Sequence, residues 1–239
     1  MMNPLRWLSG FLSLLVLSCV VRAADDYQPF RGDLAAGAAY SIDARRLHPT
    51  QFSLGLREVA AKVAVIDAKD RDALAVYLKK KDVPVVIGPG GVPYLTDGHH
   101  TLRALIESRQ PDKTAYGHVL ANWGDLTEEA FWMRMEEHRY TYLRDNAGRP
   151  AAAVLLPETL LKMQHDPWRG LAWAVMAAGG FEEKKGWFFQ EFAWADYFRD
   201  RVRWDEGNDA DFKRAVAAAV ELARSPAAKG LPGWKAEGR

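Results

Sequence analysis

Two adjacent histidines, His99 and His100, follow Asp97-Gly98 and precede Thr101-Leu102-Arg103-Ala104. Imidazoles change charge nearest to neutral pH, and they serve as general acids, general bases and metal ligands. Asp97 can orient an imidazole or ligate a cation, so Asp97 and His100 are candidate ligands for a divalent metal ion. Neighbouring residues on a helix diverge, which disfavours a chelate by both histidines. Arg103 stands four residues after His99, on the same helix face, and offers a guanidinium to an anion. Upstream, Thr50-Gln51 follow His48-Pro49 and either cap a loop or clamp a substrate. Glu58 and Lys62 stand at i and i+4, the spacing of an ordinary helical ion pair.

The elements that must position these groups are legible around them. Val83 to Gly88 is a β-branched run, Pro89-Gly90-Gly91 a turn, and Val92 to Thr96 a returning strand. Gly98 permits a tight turn from that strand into a helix. The first turn of such a helix carries unpaired N–H groups and the positive end of the dipole, a place where phosphate binds. Gly98, His99, His100 and Arg103 therefore read as a phosphate cradle.

Around this centre, Tyr40 to Asp43 and Tyr116 to Ala121 read as strands, and Leu54 to Ala64 has mixed helical periodicity. Asp70 to Lys81 and Thr127 to Arg139 read as helices. After Pro150 the chain turns helical and rich in aromatics, with helices over 168–178, 190–203 and 210–224 and Asp166-Pro167 as a start signal. Asp166 reads as an N-cap, and Arg169, Glu191 and Asp196 as structural ion-pair formers. The aromatics from Trp168 to Trp204 read as core rather than a base-stacking platform, because no basic groove accompanies them.

The 239 residues suffice for one large or two small domains. Lys and Arg total 32 against 31 Asp and Glu, so the global field expected of a strong nucleic-acid binder is missing. Met1 to Ala23 has a charged start, an apolar run over 7–21 and a Val21-Arg22-Ala23 exit, the pattern of a secretory signal. The run falls short of the roughly 20 residues of a permanent span. Cys19, in Val16-Leu17-Ser18-Cys19, gives a second reading as a lipid attachment site. It is the only cysteine, which excludes an intramolecular disulfide.

At the Gly98 box the chain resembles the ParB/sulfiredoxin superfamily, whose members carry Gly-Glu-Arg-Arg-x-Arg-Ala or Gly-Cys-His-Arg at this strand-to-helix step. It is most similar to the ParB-like nuclease branch. The resemblance runs through His48-Pro49-Thr50-Gln51, Glu58-Val59 with Lys62, Val83 to Pro89 and Asp97-Gly98-His99-His100. It continues through Phe131-Trp132-x-x-Met135, Asp166 to Trp173 and Glu191 to Asp196. It implies nucleotide or phosphate binding at the box. Glu58 is implied as a catalytic carboxylate beside His99 and His100, with Lys62 offsetting charge. Two departures stand out. His99 replaces the sulfiredoxin cysteine, which excludes thiol chemistry, and His100-Thr101 replace the arginine pair.

The expectation is an α+β protein with a small mixed sheet. It comprises a signal segment 1–23, a ParB/sulfiredoxin-like domain 24–150 and an aromatic helical extension 151–239 packed on it. The expected function is a phosphoester-directed enzyme, a nuclease or phosphohydrolase, assisted by a divalent metal. Its partner is a phosphate-containing small molecule or a nucleic acid, and it is exported without a permanent membrane span. The rivals are an exported phosphate- or nucleotide-binding protein without chemistry, and an envelope interaction protein.

Overall fold

The computed structural model describes residues 27–236; the signal-like segment and Cys19 lie outside them. The strands are β1 (Gln28–Pro29), β2 (Ala39–Asp43), β3 (His48–Pro49), β4 (Ser53–Leu54), β5 (Val85–Gly88), β6 (Val92–Leu95), β7 (Thr114–Asn122) and β8 (Gln164–His165). The helices are α1 (Leu56–Asp67), α2 (Arg71–Lys81), α3 (His99–Glu107), α4 (Glu128–Glu137), α5 (Pro167–Ala177), α6 (Gln190–Arg199) and α7 (Asp209–Arg224). The protein is an α+β fold whose main sheet has the order β1-β2-β7-β5-β6-β3 and mixes parallel with antiparallel pairs.

The β-branched β5 sits at the centre of this sheet, and all four of its residues are buried. Val85 and Ile87 enter the core formed with α1, α2 and α3, through Val59, Ile66, Leu74, Leu78, Leu102 and Leu105. Val86 points to the opposite face, where Phe131 and Met135 of α4 cover it. A strand covered on both faces has no polar alternation to display, which is why its sequence is a continuous apolar run. Thr127 caps α4 by accepting from Ala130 N, and Asp70 caps α2 by accepting from Ala73 N.

The later helices build a second core from Leu171, Val175, Phe181, Trp194, Phe198 and the alanine face Ala215, Ala219 and Ala223. They join the sheet layer directly. β4 pairs in parallel with β8, and α1 packs on α5. Leu160 and Met163, past the composition change at residue 150, belong to the sheet's core. Gly55 and Gly170 let the two layers touch: a Cβ on Gly55 would lie 2.5 Å from the Cα of Gly170. Helix α6 stops at Arg199, short of the expected 203, with Asp200 as its C-cap.

Candidate functional site

Gly98 adopts φ 88°, the left-handed region that glycine alone enters without strain, and this turn starts α3. A Cβ there would meet Val83 Cγ1 at 2.6 Å. The turn opens onto a cleft of about 390 Å³. One side of the cleft comes from Glu58 and Lys62 of α1 and Lys81 at the end of α2. The other comes from Arg169, Trp173 and Met176 of α5 and the segment from Glu183 to Phe192. The site is thus composite, with its floor from the strand-to-helix turn and a wall from the aromatic helical region.

His99 and His100 are both buried. His99 Nε2 accepts from Thr50 N at 3.2 Å, and His100 Nε2 accepts from Gly55 N at 3.1 Å. An imidazole that accepts at Nε2 is neutral and carries its proton on Nδ1. Burial, reinforced by the Arg169 charge, pushes His99 down to about 3 and His100 well below its ordinary value, so both are neutral at physiological pH. Their rings pin the segment from Thr50 to Gly55 onto the start of α3. Adjacent side chains diverge, yet both reach this segment because it passes two points of the helix end five residues apart.

Glu58 is buried as well, and its carboxylate is fully engaged. Arg169 Nη1 donates to its Oε2 at 2.9 Å and Lys62 Nζ lies 3.4 Å from Oε1, while His100 Nε2, 3.5 Å from Oε2, has no proton to donate to it. The other end of Arg169 reaches Glu191 of α6 at 3.4 Å. Burial works against the guanidinium, but Glu191 and Glu58 outweigh it and hold Arg169 firmly charged. Its Nε is buried without a hydrogen-bond partner among the described residues, and its guanidinium lies over the Phe192 ring. Asp97 stays accessible to the cleft while protein surrounds it. That enclosure raises its carboxyl above the ordinary range, although Gly98 N donates to Oδ1 at 2.6 Å.

Several expected site residues go elsewhere. Arg103 does not line the cleft: it pairs with Glu107 one turn on, and its Nη1 donates to the Leu160 carbonyl at 2.7 Å. It ties α3 to the 160s segment. Thr50 turns its hydroxyl to the Leu95 carbonyl at 2.6 Å, which leaves Gln51 as the member of that pair lining the cleft. The Gln51 amide is itself held by the Ser53 carbonyl at 2.6 Å. No group of three or more His, Cys, Asp or Glu among the described residues is placed to hold a metal ion, and His100 Nε2 is committed to Gly55. His48 packs against Tyr94 outside the cleft. Asp166 caps α5 as its sequence indicates, accepting from Trp168 N and Arg169 N, and also holds Arg199 at 2.9 Å.

Residues 40–200 match the family model described as "Putative ParB-like nuclease". The chain belongs to the ParB-like nuclease family. It is similar in structure to the crystal structure of protein Atu1540 from Agrobacterium tumefaciens, with a TM-score of 0.70 and 31% identity over 83% of this chain and 98% of that one. No curated protein matches the chain. In this ParB-like nuclease family member the cleft also contains groups that sequence reasoning left out of the site: Arg169, Glu191, Lys81, Trp173 and the Trp187-Phe188-Phe189 run. The signal was present in that run. Three consecutive large aromatics beside Gly186, ahead of a helix start, do not follow core periodicity. Phe189 has φ 59°, an uncommon conformation for a bulky side chain, and its ring lies 6.4 Å from His99.

Proposed function

We propose that this cleft binds a phosphoester at the start of α3 and that the protein hydrolyses it, as a nuclease or nucleotide phosphohydrolase working after export. The observation that carries the reading is the Gly98 turn. It puts the start of α3, from Gly98 to Thr101, in the lining of a cleft that also includes Lys62, Lys81 and Lys184. Unpaired amides and the helix dipole favour an anion at such a helix start. The lysines add positive charge, and burial together with the nearby Lys62 lowers the Lys81 ammonium from its ordinary value. A volume of about 390 Å³ suits one nucleotide-sized unit, so a nucleic acid would enter as a strand end or an unpaired nucleotide. Four cleft cations, Lys62, Lys81, Arg169 and Lys184, face four carboxyl groups, which also disfavours a long polyanion.

A second reading is binding without chemistry. It is favoured by the commitments already made: both Nε2 atoms accept backbone amides, and Glu58 is held by Arg169 and Lys62. The test is calorimetry with inorganic phosphate and a mononucleotide, beside hydrolysis of single-stranded DNA and a chromogenic phosphodiester, with and without Mn²⁺. Lys62→Ala with Lys81→Ala should weaken phosphate binding about tenfold or more, since charge-assisted contacts are worth roughly 1.5–3 kcal/mol. Binding without turnover supports the second reading. Unchanged phosphate affinity in the double variant removes the cleft from consideration.

A further inference from the structure

The cleft contains four carboxyl groups, and they are not equivalent. Glu58 and Glu191 share the Arg169 guanidinium, and Glu58 also holds Lys62. Both Glu58 oxygens are thus already occupied by cations of the protein itself. Glu183 and Asp97 both keep exposed surface, but Glu183 belongs to the segment between α5 and α6 and not to the turn that starts α3. Asp97 alone combines three properties. It has no ion-pair partner among the described residues, it lines the cleft, and it immediately precedes the Gly98 turn that starts α3. Gly98 N engages Oδ1, which fixes the carboxyl and leaves Oδ2 open.

We propose that Asp97, rather than Glu58, is the proton-accepting residue of this cleft, acting on a water that attacks a phosphoester seated at the start of α3. The proposal rests on the phosphoester reading above. In the step, the water oxygen bonds to phosphorus and its proton passes to Asp97 Oδ2. The phosphorus–oxygen ester bond breaks, and the departing oxygen keeps the electron pair and takes a proton from solvent. Asp97 then returns its proton to bulk water. The surroundings suit this task. The protein packed around this accessible carboxyl raises it, with Glu191 of α6 and Glu183 adding to it, against the Gly98 amide and Arg169 of α5, which lower it. Lys81, from the end of α2, also faces this carboxyl. A base raised towards the working pH transfers protons more effectively than an ordinary surface carboxylate.

The experiment compares wild type, Asp97→Asn, Asp97→Glu and Glu58→Gln on a chromogenic phosphodiester and single-stranded DNA across the acid and neutral range. Calorimetry with inorganic phosphate runs alongside. Asp97→Asn keeps the oxygen that accepts from Gly98 N and removes the charge. Its kcat should fall about 10²–10⁴-fold with phosphate affinity kept, and the acidic limb of the pH–rate profile should vanish. Asp97→Glu should regain part of the rate. If Asp97→Asn fails to fold, Asp97→Ser with added formate decides, because an external carboxylate should restore turnover to a missing base but not to a broken turn. Wild-type turnover by Asp97→Asn, or loss of phosphate binding together with turnover, overturns the proposal and leaves the phosphoester reading standing. A wild type that cleaves no phosphoester overturns both.

Discussion

Arg169→Met tests the arrangement of the cleft most severely. The guanidinium is buried between Glu58 at 2.9 Å and Glu191 at 3.4 Å, and both carboxylates are largely shielded from water. Methionine fills similar space but supplies no charge, so Glu58 is left with Lys62 alone among its charged partners. Breaking a buried pair by removing one partner costs about 3–5 kcal/mol. For a chain of this size that is a fall in Tm of roughly 6–20 °C. The magnitude comes from the orphaned carboxylates, not from lost packing, and this is separable. In Arg169→Met with Glu58→Gln one of the orphaned charges is gone, so the double variant should be more stable than the sum of the single changes, by about 1 kcal/mol or more. The assay is urea unfolding of the four proteins at neutral pH, followed by tryptophan fluorescence. A cost below about 1 kcal/mol for Arg169→Met, or strict additivity in the cycle, would refute the reasoning.

Other outcomes follow from single contacts. Gly55→Ala should destabilise by roughly 1–3 kcal/mol because its Cβ would lie 2.5 Å from Gly170 backbone, whereas a Cβ on Gly170 meets Gly55 Cα at an ordinary 3.6 Å and Gly170→Ala should be tolerated; thermal unfolding of the pair reads the asymmetry. Gly98→Ala should cost on the order of 1–2 kcal/mol from the left-handed backbone alone, with a further loss from the clash at Val83, measured the same way. His99 is depressed in the folded state to about 3 from 6.5, so the stability it contributes is present above 6.5 and is lost as pH falls towards 3. His99→Gln should flatten that acid slope in unfolding curves, and an unchanged slope would show that this imidazole does not titrate on unfolding.

The elements carrying strong local signals were legible. The apolar β5 run, the Asp166 cap and the strand–glycine–helix step at Gly98 each show in residue types within a few positions of one another. The two-residue strands β3, β4 and β8 carry no periodicity and form only because β6 or a distant partner accepts them. The contacts of Arg103 were not legible for a related reason. Its spacing from His99 is right for one face, but Glu107 stands at the same spacing on the other side and captures it. The imidazoles' role was hidden because their partners are backbone amides of Thr50 and Gly55, which every non-proline residue offers alike. Arg169 looked like an ordinary ion-pair former, and nothing local reveals that its carboxylate partner is Glu58.

Glu58 and Arg169 are separated by 111 residues. During synthesis the carboxylate, the histidine pair and the Gly98 turn therefore all exist before the cation that neutralises their neighbourhood has been made. A nascent chain ending near residue 150 would hold a half-built cavity, with Glu58 facing the place where α5 belongs. Water must solvate that carboxylate until the helix arrives, so the floor of the cleft cannot dehydrate early. Assembly of the cleft is in this sense vectorial: the groups closest to the proposed chemistry are translated first, and their final electrostatic environment is set by α5 and α6, which follow.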